Sequence, residues 1–79
     1  MQLLNKDQED VLKYIIEKSD GNGLVTMHVN DSQLCEEICK KGYLNDFSST
    51  TLIPYFYVSA NERGKNYFRD KEAFVRGQN

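Results

Sequence analysis

Apolar residues recur at helical spacing near the start of the chain and predict a first helix over residues 6–19. The four that share one face of this helix are Val11, Leu12, Ile15 and Ile16. Asn5 precedes the segment and Gln8 follows three residues later, a pair that can cap a helix start reciprocally. The turn-forming residues 20–23 are expected to end the helix.

Period-two alternation replaces helical spacing in residues 24–29 and predicts a short strand. Val25, Met27 and Val29 form the more uniformly apolar set, so they are expected to face the core. His28 then falls on the other face, exposed or half exposed. General-base work would need a nucleophile or carboxylate partner, which no motif in the sequence supplies.

A second helix is predicted over residues 31–41, with Asn30 as its cap. Its core-facing side chains recur at helical spacing and are Leu34, Cys35, Ile38 and Cys39. Gly42 suits the left-handed position that ends many helices, after which Tyr43 would pack back on Ile38.

An extended segment is predicted over residues 44–58, with turn residues in its first half and strand-forming residues from 52 to 58. Alternation places Leu52, Pro54, Phe56 and Val58 on one face and Ile53, Tyr55 and Tyr57 on the other. Because proline has no N–H to donate, Pro54 indicates an edge strand or a position that points out of the sheet. The two tyrosines either form an exposed face or cover the first or the last helix.

The last helix is predicted over residues 60–75. Ser59 and Glu62 match a capping box at its start, and Gly64 would allow close approach to a neighbouring element. A basic stripe on another face consists of Lys65, Arg69 and Arg76. The sequence therefore predicts one α+β domain over residues 1–79, in the order helix, strand, helix, β-hairpin, helix.

Composition and charge limit the possible functions. With 39% hydrophobic and 28% charged residues, the chain resembles globular proteins and not disordered ones. Residues 1–39 carry three basic and eight acidic side chains, whereas residues 40–79 carry seven basic and four acidic ones, so the halves have charges of −5 and +3. No apolar run approaches the length of a membrane span, so a cytoplasmic protein is expected.

Two segments within residues 34–68, LCEEICKKGYL and YFYVSANERGKNYF, resemble the second half of a winged-helix domain. In that family a helix ending in a basic residue and glycine leads into a wing hairpin, and a closing helix follows. The matching positions are Gly42, Ser59, Glu62, Gly64 and Phe68. The chain is also similar to small bacterial or phage proteins of the YjcQ-like type. Residues 21–30 leave room for a strand but not for the extra helix of a helix-turn-helix.

The winged-helix resemblance implies a DNA-binding transcriptional regulator that reads DNA with the helix over residues 31–41 and a wing tip at residues 48–51. Its nucleic-acid contacts would be Ser32, Gln33, Lys40, Lys41, Ser48, Ser49, Lys65 and Arg69. Glu36 and Glu37 disfavour this interpretation, because carboxylates facing phosphates are repelled.

The preferred hypothesis is a small non-catalytic regulatory module that binds a protein partner or, as a homodimer, a second copy of itself. Ile53, Tyr55 and Tyr57 would form its contact surface, because tyrosines on an edge strand suit protein interfaces. No enzyme is expected, since no phosphate loop or nucleophile motif is present. No cofactor, metal, small-molecule substrate or membrane is expected either. Cys35 and Cys39 are interpreted as buried structural thiols.

Overall fold

A two-stranded antiparallel sheet and a set of short helices form the structure, a computed structural model that describes residues 1–19, 23–50 and 52–77. The elements are α1 (Lys6–Lys18), β1 (Val25–His28), a 3₁₀ turn (Val29–Asp31), α2 (Ser32–Lys40), β2 (Tyr55–Val58), α3 (Glu62–Lys65) and α4 (Tyr67–Arg76). The predicted α+β class and element order are confirmed. The predicted turn at residues 20–23 and the wing tip at residues 48–51 lie partly outside the described residues.

The ends of the first two helices form as their sequences predict. Asn5 Oδ1 accepts from Gln8 N at 2.8 Å, and Gln8 Oε1 accepts from Asn5 N at 3.0 Å, which completes the capping box. At the end of α2, Gly42 has a φ of +92°, a region that glycine enters without a steric penalty. Tyr43 N donates to Ile38 O at 3.3 Å, as in a Schellman motif.

The first turn of the second helix differs from the prediction. Residues 29–31 form a 3₁₀ turn and α2 begins at Ser32. The predicted cap, Asn30, donates its own N–H to His28 Nδ1 at 3.0 Å, so the histidine side chain caps this turn. Val29, expected on the inner strand face, lies in the 3₁₀ turn and is only half-buried.

Strands β1 and β2 pair directly with each other, although the whole of α2 lies between them in the sequence. The register is Val25 with Val58, Thr26 with Tyr57, Met27 with Phe56 and His28 with Tyr55. The first arm of the predicted hairpin is reduced to Leu44, which forms an isolated antiparallel bridge with Ala60 on the far side of β2. Pro54 lies just before β2, where its carbonyl accepts from Val29 N at 2.8 Å.

One core joins the inner sheet face to the helices. Its buried apolar members are Leu4, Leu12, Ile15, Val25, Met27, Cys35, Ile38, Tyr43, Leu44, Phe56, Val58, Ala60 and Tyr67. The predicted inward positions of β2, Phe56 and Val58, are therefore confirmed, as are those of β1, Val25 and Met27. Leu52, predicted on the same face as Phe56, is 90% exposed because β2 begins only at Tyr55.

The closing helix begins later than predicted and is interrupted. Ser59 does not cap it, because its hydroxyl accepts from Asn45 Nδ2 at 2.8 Å while the strand pairing continues to Ala60. Asn61 is the cap, and its Oδ1 accepts from Gly64 N at 2.8 Å. Asn66, with φ −97° and ψ 2°, then separates α3 from α4.

Gly64 packs directly against the backbone of Tyr43. A Cβ at Gly64 would lie 2.0 Å from Tyr43 O, so only glycine fits there. Asn61 adds two hydrogen bonds at this junction. Its backbone N–H donates to Tyr43 O at 3.3 Å, and its side-chain Nδ2 donates to Gly42 O at 2.9 Å. The Tyr43 ring meets the Tyr67 ring edge-on at 5.0 Å between centroids. The close approach predicted for Gly64 is confirmed.

A buried hydroxyl ties the N-terminal segment to the last helix. Tyr67 OH accepts from Leu4 N and donates to Glu9 Oε2, both at 2.8 Å. Lys71 Nζ also donates to Glu9 Oε2, at 2.7 Å. Partial burial acts to raise the pKa of Glu9, but the hydrogen bonds from Lys71 and Tyr67 and the charge of Lys71 together lower it. Burial raises the pKa of Tyr67 to about 12, so this hydroxyl stays protonated.

Gly64→Ala is expected to destabilise the domain by about 3 kcal/mol or more, at the upper end of overpacking costs, because backbone and not a flexible side chain blocks the new methyl group. The measurement is the free energy of unfolding in urea. Gly77→Ala is the matched control, since its new Cβ would have only ordinary contacts, the nearest at 3.4 Å. Equal stability of the two variants would contradict the close contact.

Glu9→Gln is expected to lower the free energy of unfolding at pH 7 by about 1.5 kcal/mol, the lower range for a lost charged hydrogen bond. The contribution of Glu9 is complete above its ordinary pKa of 4.5 and is lost as the pH falls through the lower folded-state value. The difference from wild type should therefore shrink in acid. Glu17→Gln, an exposed change on the same helix, is the control. A difference that stays constant from neutral to acidic pH would contradict this role.

Candidate binding surface

The outer face of the sheet carries Tyr55 and Tyr57, two of the three residues that the sequence predicted for partner binding, whereas the third, Ile53, lies just before β2. Tyr55 is 56% exposed, Tyr57 63% and Ile53 57%, whereas their neighbours Phe56 and Val58 are buried. Of the two alternatives for the tyrosines, the structure shows the exposed face and not a cover over a helix. The outer face of β2 therefore presents two tyrosine rings to solvent, and Ile53 is exposed beside the start of the strand.

Each strand also has one edge without a neighbouring strand in the described part of the chain. In an antiparallel ladder, residue pairs that exchange backbone hydrogen bonds (bonded pairs) alternate with pairs that do not (non-bonded pairs). Because Val29 N donates to Pro54 O, the next pair, His28 with Tyr55, is non-bonded, and so is Thr26 with Tyr57. The backbone groups of these four residues therefore point away from the partner strand, towards the two outer edges.

An open groove of about 400 Å³ follows the outer edge of β1. Asp10 and Tyr14 of α1 line one side, and Thr26, His28 and Tyr55 of the sheet line the other, with Asp31 also in the wall. The His28 and Tyr55 rings meet edge-on at 5.4 Å between centroids, and Nδ1 of the half-buried histidine accepts a backbone N–H. This contact supports the Tyr55 ring beside the groove.

Part of the predicted nucleic-acid set does come together, but beside carboxylates. Lys40, Ser48 and Ser49 line a second groove, of about 570 Å³, between α2 and the loop that follows it. Glu36 and Asp46 line the same groove. Two carboxylates beside one lysine make this surface unfavourable for phosphates.

The rest of that set is dispersed or already engaged. Lys41 Nζ donates to Leu3 O and to Gln8 Oε1, each at 3.2 Å, so its charge holds the N-terminal segment. Glu37, predicted to face outward, is half-buried and accepts from Gln8 Nε2 at 2.9 Å, because it faces α1. The remaining four positions, none of which lines the second groove, are Ser32, Gln33, Lys65 and Arg69.

The two cysteines are free thiols, and both have a pKa above the ordinary thiol value. Burial raises the pKa of Cys35 to about 12, and partial burial with the nearby Asp46 carboxylate raises that of Cys39. A thiol that stays protonated is a poor nucleophile. Cys35 is buried as predicted, whereas Cys39 is half-buried at the second groove.

Of the residues that line the first groove, sequence reasoning assigned only Tyr55 to a binding surface, and the lining residues that it missed include Asp10, Tyr14, Thr26 and Asp31. Two signals were available. Tyr14 lies beside the apolar stripe of α1 and is 45% exposed, and Thr26 occupies an outward position in β1. Their meeting at one groove depends on how α1 packs beside β1, which no local pattern specifies.

Comparisons with protein-family models, with curated proteins and with solved structures found no match to this chain. Among the residues that the structure describes, none of the helices has the length and apolar character needed to cross a bilayer.

Proposed function

We propose that this chain is a non-catalytic binding module that acts through protein–protein contacts, with a protein partner or with a second copy of itself. Its contact surface is the outer face of the sheet. The observation that carries this proposal is the exposure of Tyr55 and Tyr57 on one face of β2, next to open strand edges and shortly after the exposed Ile53. Aromatic side chains in such positions supply much of the energy of protein interfaces.

The alternative, a winged-helix DNA-binding regulator, has weaker support. The element order and the Leu44–Ala60 bridge beside β2 agree with that resemblance. The charges do not agree with DNA binding. Lys40 shares its groove with Glu36 and Asp46, and Lys41 is hydrogen-bonded to α1 and the N-terminal segment. We therefore place the protein contact first. A cytoplasmic location is proposed with it, in keeping with two free thiols.

Tyr55→Ala combined with Tyr57→Ala is expected to weaken association at least about tenfold, because truncating an interface aromatic commonly costs more than 1 kcal/mol. Sedimentation velocity over a wide concentration range measures self-association. Quantitative capture from lysate, with wild type and variant side by side, measures a separate partner. Val75→Ala, a 46% exposed apolar residue on α4, is the matched control and should leave association unchanged.

Circular dichroism must show that the double variant remains folded, since both rings are more than half exposed. Its unfolding would contradict the proposal by showing that the rings support the core. Association equal to that of wild type, or a wild type that neither self-associates nor retains a partner, would also contradict it. Binding to mixed-sequence duplex DNA that is present at ~50 mM salt and collapses at ~200 mM would favour the alternative.

A further inference from the structure

The groove beside β1 combines an open strand edge with uncompensated negative charge. We propose that it takes an extended, positively charged peptide segment of a partner protein. The segment would pair with β1 as an added strand and place a Lys or Arg side chain between Asp10 and Asp31. This inference rests on the proposed function, which it deepens by naming the class of partner.

The backbone of β1 offers the groups that an added strand needs. Thr26 and His28 occupy the non-bonded positions of the ladder with β2, so the N–H and C=O of Thr26 and the N–H of His28 face the groove side, whereas the C=O of His28 begins the 3₁₀ turn. Within the described part of the chain, no backbone hydrogen bond outside the helices and strands reaches Thr26 or the His28 N–H. An extended peptide that pairs with such an edge gains affinity from main-chain hydrogen bonds, whatever its sequence.

The charge of the groove selects among such peptides. Asp10 and Asp31 both line it, and neither forms an ion pair within the described residues. Lys6 and Lys13 lie one turn before and after Asp10 on α1 but do not line the groove. A cationic side chain would therefore find two carboxylates without a competing protein cation, whereas an acidic segment would be repelled.

The rings of Tyr14 and Tyr55 suit the remainder of a long cationic side chain. They lie on opposite sides of the groove, one on α1 and one on the sheet. The aliphatic stem of Lys or Arg packs on apolar surface while its head remains at the carboxylates. An aromatic face also attracts the cation itself. Backbone pairing, carboxylates and rings thus favour the same ligand.

Two other occupants are less suitable. Pairing of two copies through their β1 edges would bring four carboxylates together, Asp10 and Asp31 from each copy, which is unfavourable. A nucleic acid would place phosphates against the same groups. The charges thus favour a basic segment of a different protein at this edge.

The test uses a fluorescein-labelled nine-residue peptide of alternating Thr and Val with one central Arg, titrated against the full chain by fluorescence anisotropy. The same peptide with Glu at the centre is expected to bind at least about tenfold more weakly. N-methylation of the peptide backbone along its pairing edge should abolish binding, because it removes the donors without changing the side chains.

Variants of the protein test whether the negative charge that selects the peptide lies in the groove. Asp10→Asn with Asp31→Asn should weaken binding of the Arg peptide about fivefold or more, the effect of two lost ion pairs of moderate strength. Asp7→Asn with Glu17→Gln removes the same charge from exposed positions of α1 outside the groove, and should leave affinity within about twofold. Amide shift changes on binding should centre on Thr26 and His28.

Equal affinity for the Arg and Glu peptides, or amide shifts away from β1, would overturn the inference. So would the absence of Arg-peptide binding. If association remains sensitive to Tyr55→Ala and Tyr57→Ala in that case, the proposed function stands and only the groove assignment fails. If that association is also absent, both fail.

Discussion

The contact between Gly64 and the backbone of Tyr43 is the constraint on which the rest of the structure depends. No side chain larger than hydrogen fits at Gly64, since a methyl group would overlap Tyr43 O. The end of α2, the start of α3 and the ring of Tyr67 all meet at this point. Because Asn61 bonds to both Gly42 and Tyr43, the closing helix is held against the end of α2 by backbone geometry as well as by apolar packing.

This junction also determines which surface remains for binding. The residues before Asn61 continue into β2, and the bridge between Leu44 and Ala60 fixes the end of that strand. With Phe56 directed into the core, the alternation of the strand leaves Tyr55 and Tyr57 in solvent. The core is built on one face of the sheet, and the other face carries large apolar side chains that the described part of the chain leaves exposed.

Local patterns predicted the elements well and their assembly less well. The capping box at Asn5, the helix end at Gly42 and the need for glycine at position 64 are all encoded within a few residues, and all are confirmed. The predicted cap of the closing helix was wrong. Ser59 and Asn61 are both suitable N-cap residues, and strand pairing up to Ala60 leaves Asn61 as the cap. Pairing of β1 with β2 is non-local, so the groove beside β1 could not be predicted.

The central claim is that the sheet presents open edges and an uncovered outer face. Residue-resolved amide hydrogen exchange in dilute solution tests it most directly, because exchange reports whether an N–H is bonded within the fold. We predict slow exchange at Phe56 and Val58, whose amides face β1, and fast exchange at Tyr55 and Tyr57, whose amides face the outer edge. Equal protection of all four amides would show that the edge is already covered and would contradict the account.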